Sequence, residues 1–307
     1  MEAYAAVIGG INIDICGRSA EPMIAEDSNP GTVTISPGGV GRNIAHNLRL
    51  LEIPTVFVTT LGGDAFSAQA ETDCRALGMD LSYALRIPDG RISSYVFLTQ
   101  PDGNLALAVC DSQIAENMTP AVLEARMDVL NAAKAVVLDA NLTKESVEYL
   151  AEHCRAPLFA DPVSVRKAEK LRRVLGRFHT LKPNLLEAEA LSGVRIRNES
   201  GLFEAANRLL ETGMKRVAIS LGAKGALLAE GDTREILPCY PAELCNVTGG
   251  GDAMMAGLVY GYMRGAPFRK SGQYALAAAS MAVSCSVTNH PALSCTALES
   301  ILGGNKV

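Results

Sequence analysis

Asn246-Val247-Thr248-Gly249-Gly250-Gly251-Asp252-Ala253-Met254-Met255-Ala256-Gly257 is the stretch of this 307-residue chain that constrains its reading most. Three consecutive glycines are destabilising inside any helix, so the run marks a place where backbone must approach something closely. The residues after it are small and apolar, and predict a helix that begins near Asp252 and reaches Met263. The start of such a helix presents N–H groups without intrahelical partners and the positive end of the helix dipole. That arrangement suits a transferring phosphoryl group. Taken alone, Asp252 reads equally well as an ordinary helix N-cap.

The rest of the chain alternates strands with helices. An apolar run at 4–8 ends in Gly9-Gly10, as a buried parallel strand does, and helical spacing of Val40, Ile44, Leu48 and Leu51 follows Gly38-Gly39. A strand is predicted at 55–61 and a helix at 65–77. Two runs, 92–98 and 105–110, are joined by Pro101-Asp102-Gly103, a turn signal. With the strand-like 32–36 they interrupt the alternation and predict a small β flap. Thr119 with Pro120 opens a helix. Strands at 135–138, 158–160, 180–182, 217–221 and 226–229 restore the pattern, and the C-terminal third is helical. The expected fold class is α/β: a mainly parallel central sheet with helices on both faces and a small sheet beside it. One domain, 1–307, is expected, with lid segments at about 15–37 and 86–110. Ligands of such sheets sit at the carboxyl ends of the strands, which singles out Asn12, Asp14, Asn141, Asp161, Asn184 and Ser220.

Composition narrows the class. A net charge of -5 argues against a nucleic-acid surface. Eight cysteines without a CxxC pair, and four scattered histidines, point to reduced thiols and no structural zinc. No signal segment or membrane span is visible, so the chain is expected in the cytoplasm, acting on a small molecule. Competing phosphate motifs fail: there is no Gly-x-x-x-x-Gly-Lys-Ser/Thr loop, and Gly39-Val40-Gly41-Arg42-Asn43-Ile44 lacks the third glycine of a dinucleotide fingerprint. The basic run 167–173 reads as a solvated helix face. Neither that run nor Arg42, Lys144 or Arg166 is given a role.

The glycine run resembles the C-terminal signature of the ribokinase-like (PfkB) carbohydrate kinases, Asp-Thr-x-Gly-Ala-Gly-Asp. It departs from that pattern at Asn246, where Asp is usual, and at Gly250, where Ala is usual. The N-terminal signature is present too, as Gly9-Gly10-Ile11-Asn12-Ile13-Asp14 and Pro37-Gly38-Gly39-Val40-Gly41-Arg42-Asn43-Ile44-Ala45. The likeness covers the whole chain in the right order. It implies a ribokinase-like fold and an ATP-dependent kinase, with Asp252 as the base and the N–H groups of Gly249, Gly250 and Gly251 stabilising the transferred group.

The resemblance also implies contacts. Asn12, Asp14, Gly38, Gly39 and Asn43 would hold a sugar; a carboxylate such as Asp14 accepts from two vicinal hydroxyls. An Asx turn at Asp14 and a tight turn at Gly38-Gly39 are the alternatives. Asn184 and Glu187 match an Asn-x-x-Glu pattern that organises Mg2+ and phosphate, Mg2+ preferring oxygen ligands and retained water; a capped surface helix is the alternative. Ser220, Gly222 and Gly225 resemble a nucleotide-binding turn. Thr248 and Ser280 would border the nucleotide and a site for K+, which Asn246 deprives of a charge. Dimerisation through the flap is implied.

The run Asp27-Ser28-Asn29-Pro30-Gly31, with Asn246-Val247-Thr248 and Met254-Met255, resembles the branch of the family that phosphorylates pseudouridine at its ribose 5′-hydroxyl. Ser28, Asn29, Ser94 and Asp111 on the flap, with Asn141, are the candidate contacts to such an acceptor; Asn-Pro-Gly also reads as a plain turn. Ribose or another nucleoside is the alternative acceptor. A binding relic without turnover is the alternative from another class, and a binder needs no general base.

Overall fold

The computed structural model describes residues 2–304. Strands Ala5–Ile8, Thr55–Val58, Ala135–Asp139 and Leu158–Asp161 are buried at every position, as apolar strands covered on both faces must be. They belong to an eight-stranded sheet whose order is Thr233–Leu237, Ala226–Glu230, Arg216–Ser220, Thr180–Leu181, Leu158–Asp161, Ala135–Asp139, Ala5–Ile8, Thr55–Val58. The last six run parallel, and the first two form an antiparallel edge. Successive side chains alternate between the faces. Ala5, Val7, Phe57 and Val137 enter one core with helices α1 (Val40–Leu50), α2 (Gly250–Met263) and α3 (Phe268–Val283). Ala6, Ile8, Val58, Val136 and Leu138 enter the other, with the helices Lys144–His153, Leu185–Ser192 and Glu199–Glu211.

A separate four-stranded sheet has the order Gly31–Gly38, Asn12–Ser19, Ser93–Thr99, Leu105–Asp111. Asn12 and Asp14 therefore lie within a strand of their own, where the sequence put them just past the end of the first strand. The chain leaves the main sheet at Gly9-Gly10 and crosses straight into the small one. Alternation puts Asn12 and Asp14 on one face of it and Ile13 and Ile15 on the other.

The predicted strand 55–61 is split at Thr59, whose hydroxyl bonds to Gly9 O at 2.8 Å. Its second half, Thr60–Gly62, pairs with Leu85–Ile87 in a third, two-stranded sheet. The edge strand Thr233–Leu237 was not anticipated, because its Arg and Glu mask the short apolar pattern. All eight cysteines are free thiols. Among the described residues no helix is long and apolar enough to cross a membrane.

Candidate active site

The carboxyl ends of the parallel strands carry a row of polar groups. In sheet order they are Ser220, then Lys182 just past Thr180–Leu181, then Asp161, Asp139 and the Gly9-Gly10 turn. Asp139 and Asp161 are register partners on adjacent strands. Asp139 is spent on the neighbouring turns, accepting from Gly10 N–H and Asn141 N–H at 2.9 and 2.8 Å. Asp161 pairs with the buried Lys182 ammonium at 3.0 Å.

Helix α2 points its N-terminus at this row. Gly249 is its N-cap with φ 85°, and no side chain caps it. A β-carbon at Gly249 would land on the Thr288 carbonyl, so both backbone sign and space demand glycine. The first intrahelical bond in this turn is Ala253 N–H to Gly249 O, 2.9 Å. The preceding N–H groups of Gly250, Gly251 and Asp252 thus have no intrahelical acceptor. Asp252 is the third helical residue, not the cap, and its side chain is half-buried. Burial, then the neighbouring charge of Asp161, pushes its pKa up to about 7; the Asn43 hydrogen bond and Lys182 oppose that shift, and Asp139 adds to it. Asn43 Nδ2 donates to Asp252 Oδ2 at 2.7 Å.

Two regions flank this carboxylate. On one side, Gly38 ends its strand against Asn12 and Asp14. A β-carbon there would strike both side chains. Asn12 Nδ2 donates to Asp14 Oδ1 at 2.5 Å. Asn43, at the start of α1, reaches Asp252 from the same side. On the other side is a largely apolar cleft of about 570 Å3. Ser220, Gly222 and Gly225 line one wall, Ser280 another, and Gly250 and Gly251 its floor. The sequence had named all six for nucleotide or phosphoryl contact.

Asn184 and Glu187 sit beside this cleft, Asn184 bridging to Ser220. They form a capping box: Glu187 N–H donates to Asn184 Oδ1 at 2.9 Å, and Asn184 N–H to Glu187 Oε2 at 2.8 Å. The Glu187 carboxylate is buried, which raises its pKa. Its Oε1 has no bond in this box. A carboxylate with one committed oxygen and one spare fits a Mg2+ ion that draws its other ligands from phosphates and water. Among the described residues no cluster of three or more His, Cys, Asp or Glu side chains forms a metal cage.

Other expected contacts stand apart from Asn12 and Asp14: Ser94 pairs with Ile13 and Asp111 with Ser94, which puts both on the opposite face of the small sheet. Ser28 and Asn29 occupy the exposed connection between Asn12–Ser19 and Gly31–Gly38. There the Asn29 amide is spent on the backbone of Ile24 and Asp27. Ser94 Oγ bonds to Ile92 O at 3.3 Å, and Asp111, exposed at its strand end, accepts from Gln113 N–H at 3.2 Å. Thr248 N–H donates to Asn246 Oδ1 at 2.9 Å. Asn246 is thereby committed to a local turn.

Three charged residues passed over in the sequence belong to the site. Lys182 is buried, and a β-carbon on Gly251 would stand 3.1 Å from its Nζ. Burial pulls its pKa down, but Asp161, Asp252 and Glu187 pull it up further, so it stays an ammonium at the mouth of α2. Its position beside the Lys182-Pro183-Asn184 stretch was the available signal. Lys167 and Lys170 correct the reading of 167–173 as a solvated face. Of the run's four basic residues only Arg172 and Arg173 are exposed. Lys167 Nζ donates to Asn141 Oδ1, and Lys170 Nζ to the carbonyls of Ala140 and Leu142. Both lysines and Asn141 line a polar cleft of about 580 Å3 with Ser112, Glu116 and Thr143. Arg42 is likewise buried in α1.

Comparison with known proteins gives one answer. The pfkB family carbohydrate kinase pattern matches residues 2–295. The chain is 36% identical over 294 residues to the pseudouridine kinase of Escherichia coli (strain K12), covering 95% of this chain and 94% of that one. A carbohydrate kinase from Agrobacterium tumefaciens superposes with a TM-score of 0.87 at 30% identity, covering 98% of this chain and 97% of that one. Arabidopsis thaliana ribokinase, solved with ribose and ATP, shares the fold with a TM-score of 0.88 at 22% identity, over 99% and 100% of the two chains. With a bare helix N-terminus, a carboxylate beside it and a match that runs through nearly every element, the chain belongs to the pfkB family of carbohydrate kinases and is a sugar or nucleoside kinase, a phosphotransferase with an alcohol acceptor.

Proposed function

We propose that the enzyme transfers the γ-phosphoryl group of ATP to the 5′-hydroxyl of pseudouridine, giving pseudouridine 5′-phosphate and ADP. The observation that carries this reading is the place of Asp252. It stands between the Asn12–Asp14–Gly38–Asn43 side and the Ser220–Gly225–Ser280 cleft, on the helix turn whose free N–H groups suit a phosphate. Asp252 takes the acceptor's hydroxyl proton as the O–P bond forms, and the bond from phosphorus to the β-phosphate oxygen breaks. The N–H groups of Gly250 and Gly251, with the Lys182 ammonium, hold the charge on the moving group. Gly249 serves by turning the chain. Bound Mg2+ would neutralise phosphate charge, with Glu187 its protein ligand and Asn184 the cap that holds Glu187 in place. Asn246 offers K+ no carboxylate, and its amide oxygen is taken by Thr248. A cytoplasmic location is part of this proposal.

A nucleoside acceptor, rather than a bare sugar, is supported by the second cleft. Asn141, Lys167 and Thr143 supply donors and acceptors there for a uracil edge. The likeness to the E. coli pseudouridine kinase supports uracil as that base. Purified enzyme with ATP and Mg2+ should show its highest kcat/KM with pseudouridine among pseudouridine, uridine, cytidine and ribose. The product, identified by mass and NMR, should be the 5′-monophosphate. Ribose used ten times better than pseudouridine would contradict the acceptor assigned here.

The small sheet is read as a lid that closes over the acceptor and excludes water. Its outer face carries Val33, Val96, Leu107 and Val109, the last 65% exposed. Val96 pairs with Val109 in register and Leu98 with Leu107, so the face is one continuous apolar patch. Patches of this kind mark interfaces, and a homodimer through the lid is proposed. Leu107→Glu should convert the dimer to monomer in sedimentation experiments, with the fold retained by circular dichroism. A variant that sediments like the parent would place the interface elsewhere.

A further inference from the structure

Arg42 is 4% exposed, yet no carboxylate pairs with it directly among the described residues. Its guanidinium is held by neutral acceptors instead. Nε donates to Gly38 O and Nη2 to Pro37 O, each at 3.0 Å. Nη2 also donates to Asn43 Oδ1 and, at 3.0 Å, to Asn289 Oδ1. Nη1 lies 3.3 Å from His46 Nδ1. Burial, then the charge of Arg42, depresses the His46 pKa to about 4, so the imidazole is neutral and its Nδ1 accepts. A buried cation without a counter-ion is costly, and the groups around this one come from three places: the end of the strand Gly31–Gly38, helix α1, and Asn289.

The contact with Asn43 settles which way that amide points. An amide offers one oxygen and one NH2. With the oxygen turned to a permanent cation, the NH2 must face the other way, and it does, meeting Asp252 Oδ2 at 2.7 Å. Asn289 is fixed by the same logic. Its oxygen faces Arg42, and its NH2 donates to Asn43 O and Asn47 Oδ1, each at 3.0 Å. Asn289 follows Thr288, whose carbonyl abuts Gly249 at the cap of α2. Pro37 and Gly38 close a strand of the small sheet.

We propose that Arg42 is a positioning residue for phosphoryl transfer: through the Asn43 amide it orients the Asp252 carboxylate, and through Pro37, Gly38 and Asn289 it couples that carboxylate to the small sheet and to the cap of α2. The proposal rests on the reading of Asp252 as base. The charged groups around Asp252 are Asp161, Asp139 and Lys182; those around Arg42 are Asp252, Asp14 and Asp73, with the neutral Cys74 thiol, whose pKa burial raises to about 11, and His46 alongside.

The test is the pH profile of kcat/KM for Arg42→Met, Arg42→Lys and Asp252→Asn beside the parent. Arg42→Met frees the Asn43 amide to turn its oxygen toward Asp252, and a donor is lost from the carboxylate. The acid limb should then move upward by about one pH unit, the worth of a hydrogen bond to a charged group. Turnover near pH 7 should fall about fivefold, with recovery toward the parent at pH 9 and KM for ATP unchanged. Arg42→Lys should shift the limb the same way by a smaller amount, because one ammonium cannot serve the planar set of acceptors. This conservative variant also answers if the Met variant fails to fold. A limb left at the parent's pH in Arg42→Lys, with kcat lowered equally at all pH values, would overturn the positioning role. Near-normal turnover in Asp252→Asn would instead sink the base assignment, whatever the Arg42 variants do.

Discussion

Asp252→Asn is expected to lower kcat by about 10²–10⁴-fold, the range for loss of a positioned general base, while ATP binds as well as before. The substitution is nearly isosteric. An asparagine in this place can still offer its oxygen to the Asn43 NH2 that now meets Asp252 Oδ2 at 2.7 Å, so the fold and the free N–H groups of the first turn persist. What disappears is the ability to take a proton. Removing a negative charge beside the phosphate site also eases nucleotide binding, and titration calorimetry with ATP should return an affinity equal to or better than the parent's. Turnover within a few-fold of the parent would mean that another group takes the proton.

Lys182→Met should be nearly as damaging, for two separable reasons. Lys182 and Asp161 are both buried and stand 3.0 Å apart. Losing the ammonium strands the Asp161 carboxylate inside the protein, and breaking a buried pair from one side costs about 3–5 kcal/mol of stability. The same ammonium sits against Gly251, beside the N–H groups proposed to hold the transferred phosphate. A fall in kcat of about 10²–10³-fold is expected, as for other single donors to a developing anion. Lys182 also holds the Asp252 pKa down, so the variant's acid limb should move to higher pH. Asp161→Asn in the Lys182→Met background restores much of the lost stability by removing the stranded charge, but not the lost kcat. Recovery of both would assign Lys182 a purely structural part.

Much of this site could be read from the sequence because its marks are backbone marks. A glycine triplet, a Gly-Gly pair after an apolar run and an Asp at the end of a strand report what the chain must do locally, and local demands show in local sequence. The strands 135–138 and 158–160 were legible because burial on both faces writes a continuous apolar run. Asn12–Ser19 was missed as a strand because Asp14, Gly17 and Arg18 break that run where the chain passes between sheets. Lys167, Lys170 and Lys182 were missed for a different reason. A lysine that turns inward is spelled like one that turns outward, and its partners, Asn141, two carbonyls and Asp161, are distant in sequence. Arg42 was quoted with its signature but given no task, since its meaning depends on Asn289, 247 positions away.

The raised pKa of Asp252 acts on stability and on catalysis with opposite signs. The carboxyl holds its proton in the folded protein up to about pH 7, whereas an unfolded Asp releases it near its ordinary value of about 3.9. Between those values the folded state binds more protons, so this group's contribution to stability is full below the lower value and is lost as pH rises through the upper one. In the proposed mechanism activity needs the carboxylate and grows over the same interval. The most direct measurement of whether Asp252 is the base is therefore the pH dependence of kcat/KM for pseudouridine, in the parent and in Asp252→Asn. The parent should gain about tenfold per pH unit on the acid side and level off near pH 7, and the variant's residual rate should show no such limb. A limb with the same midpoint in both proteins would contradict the account.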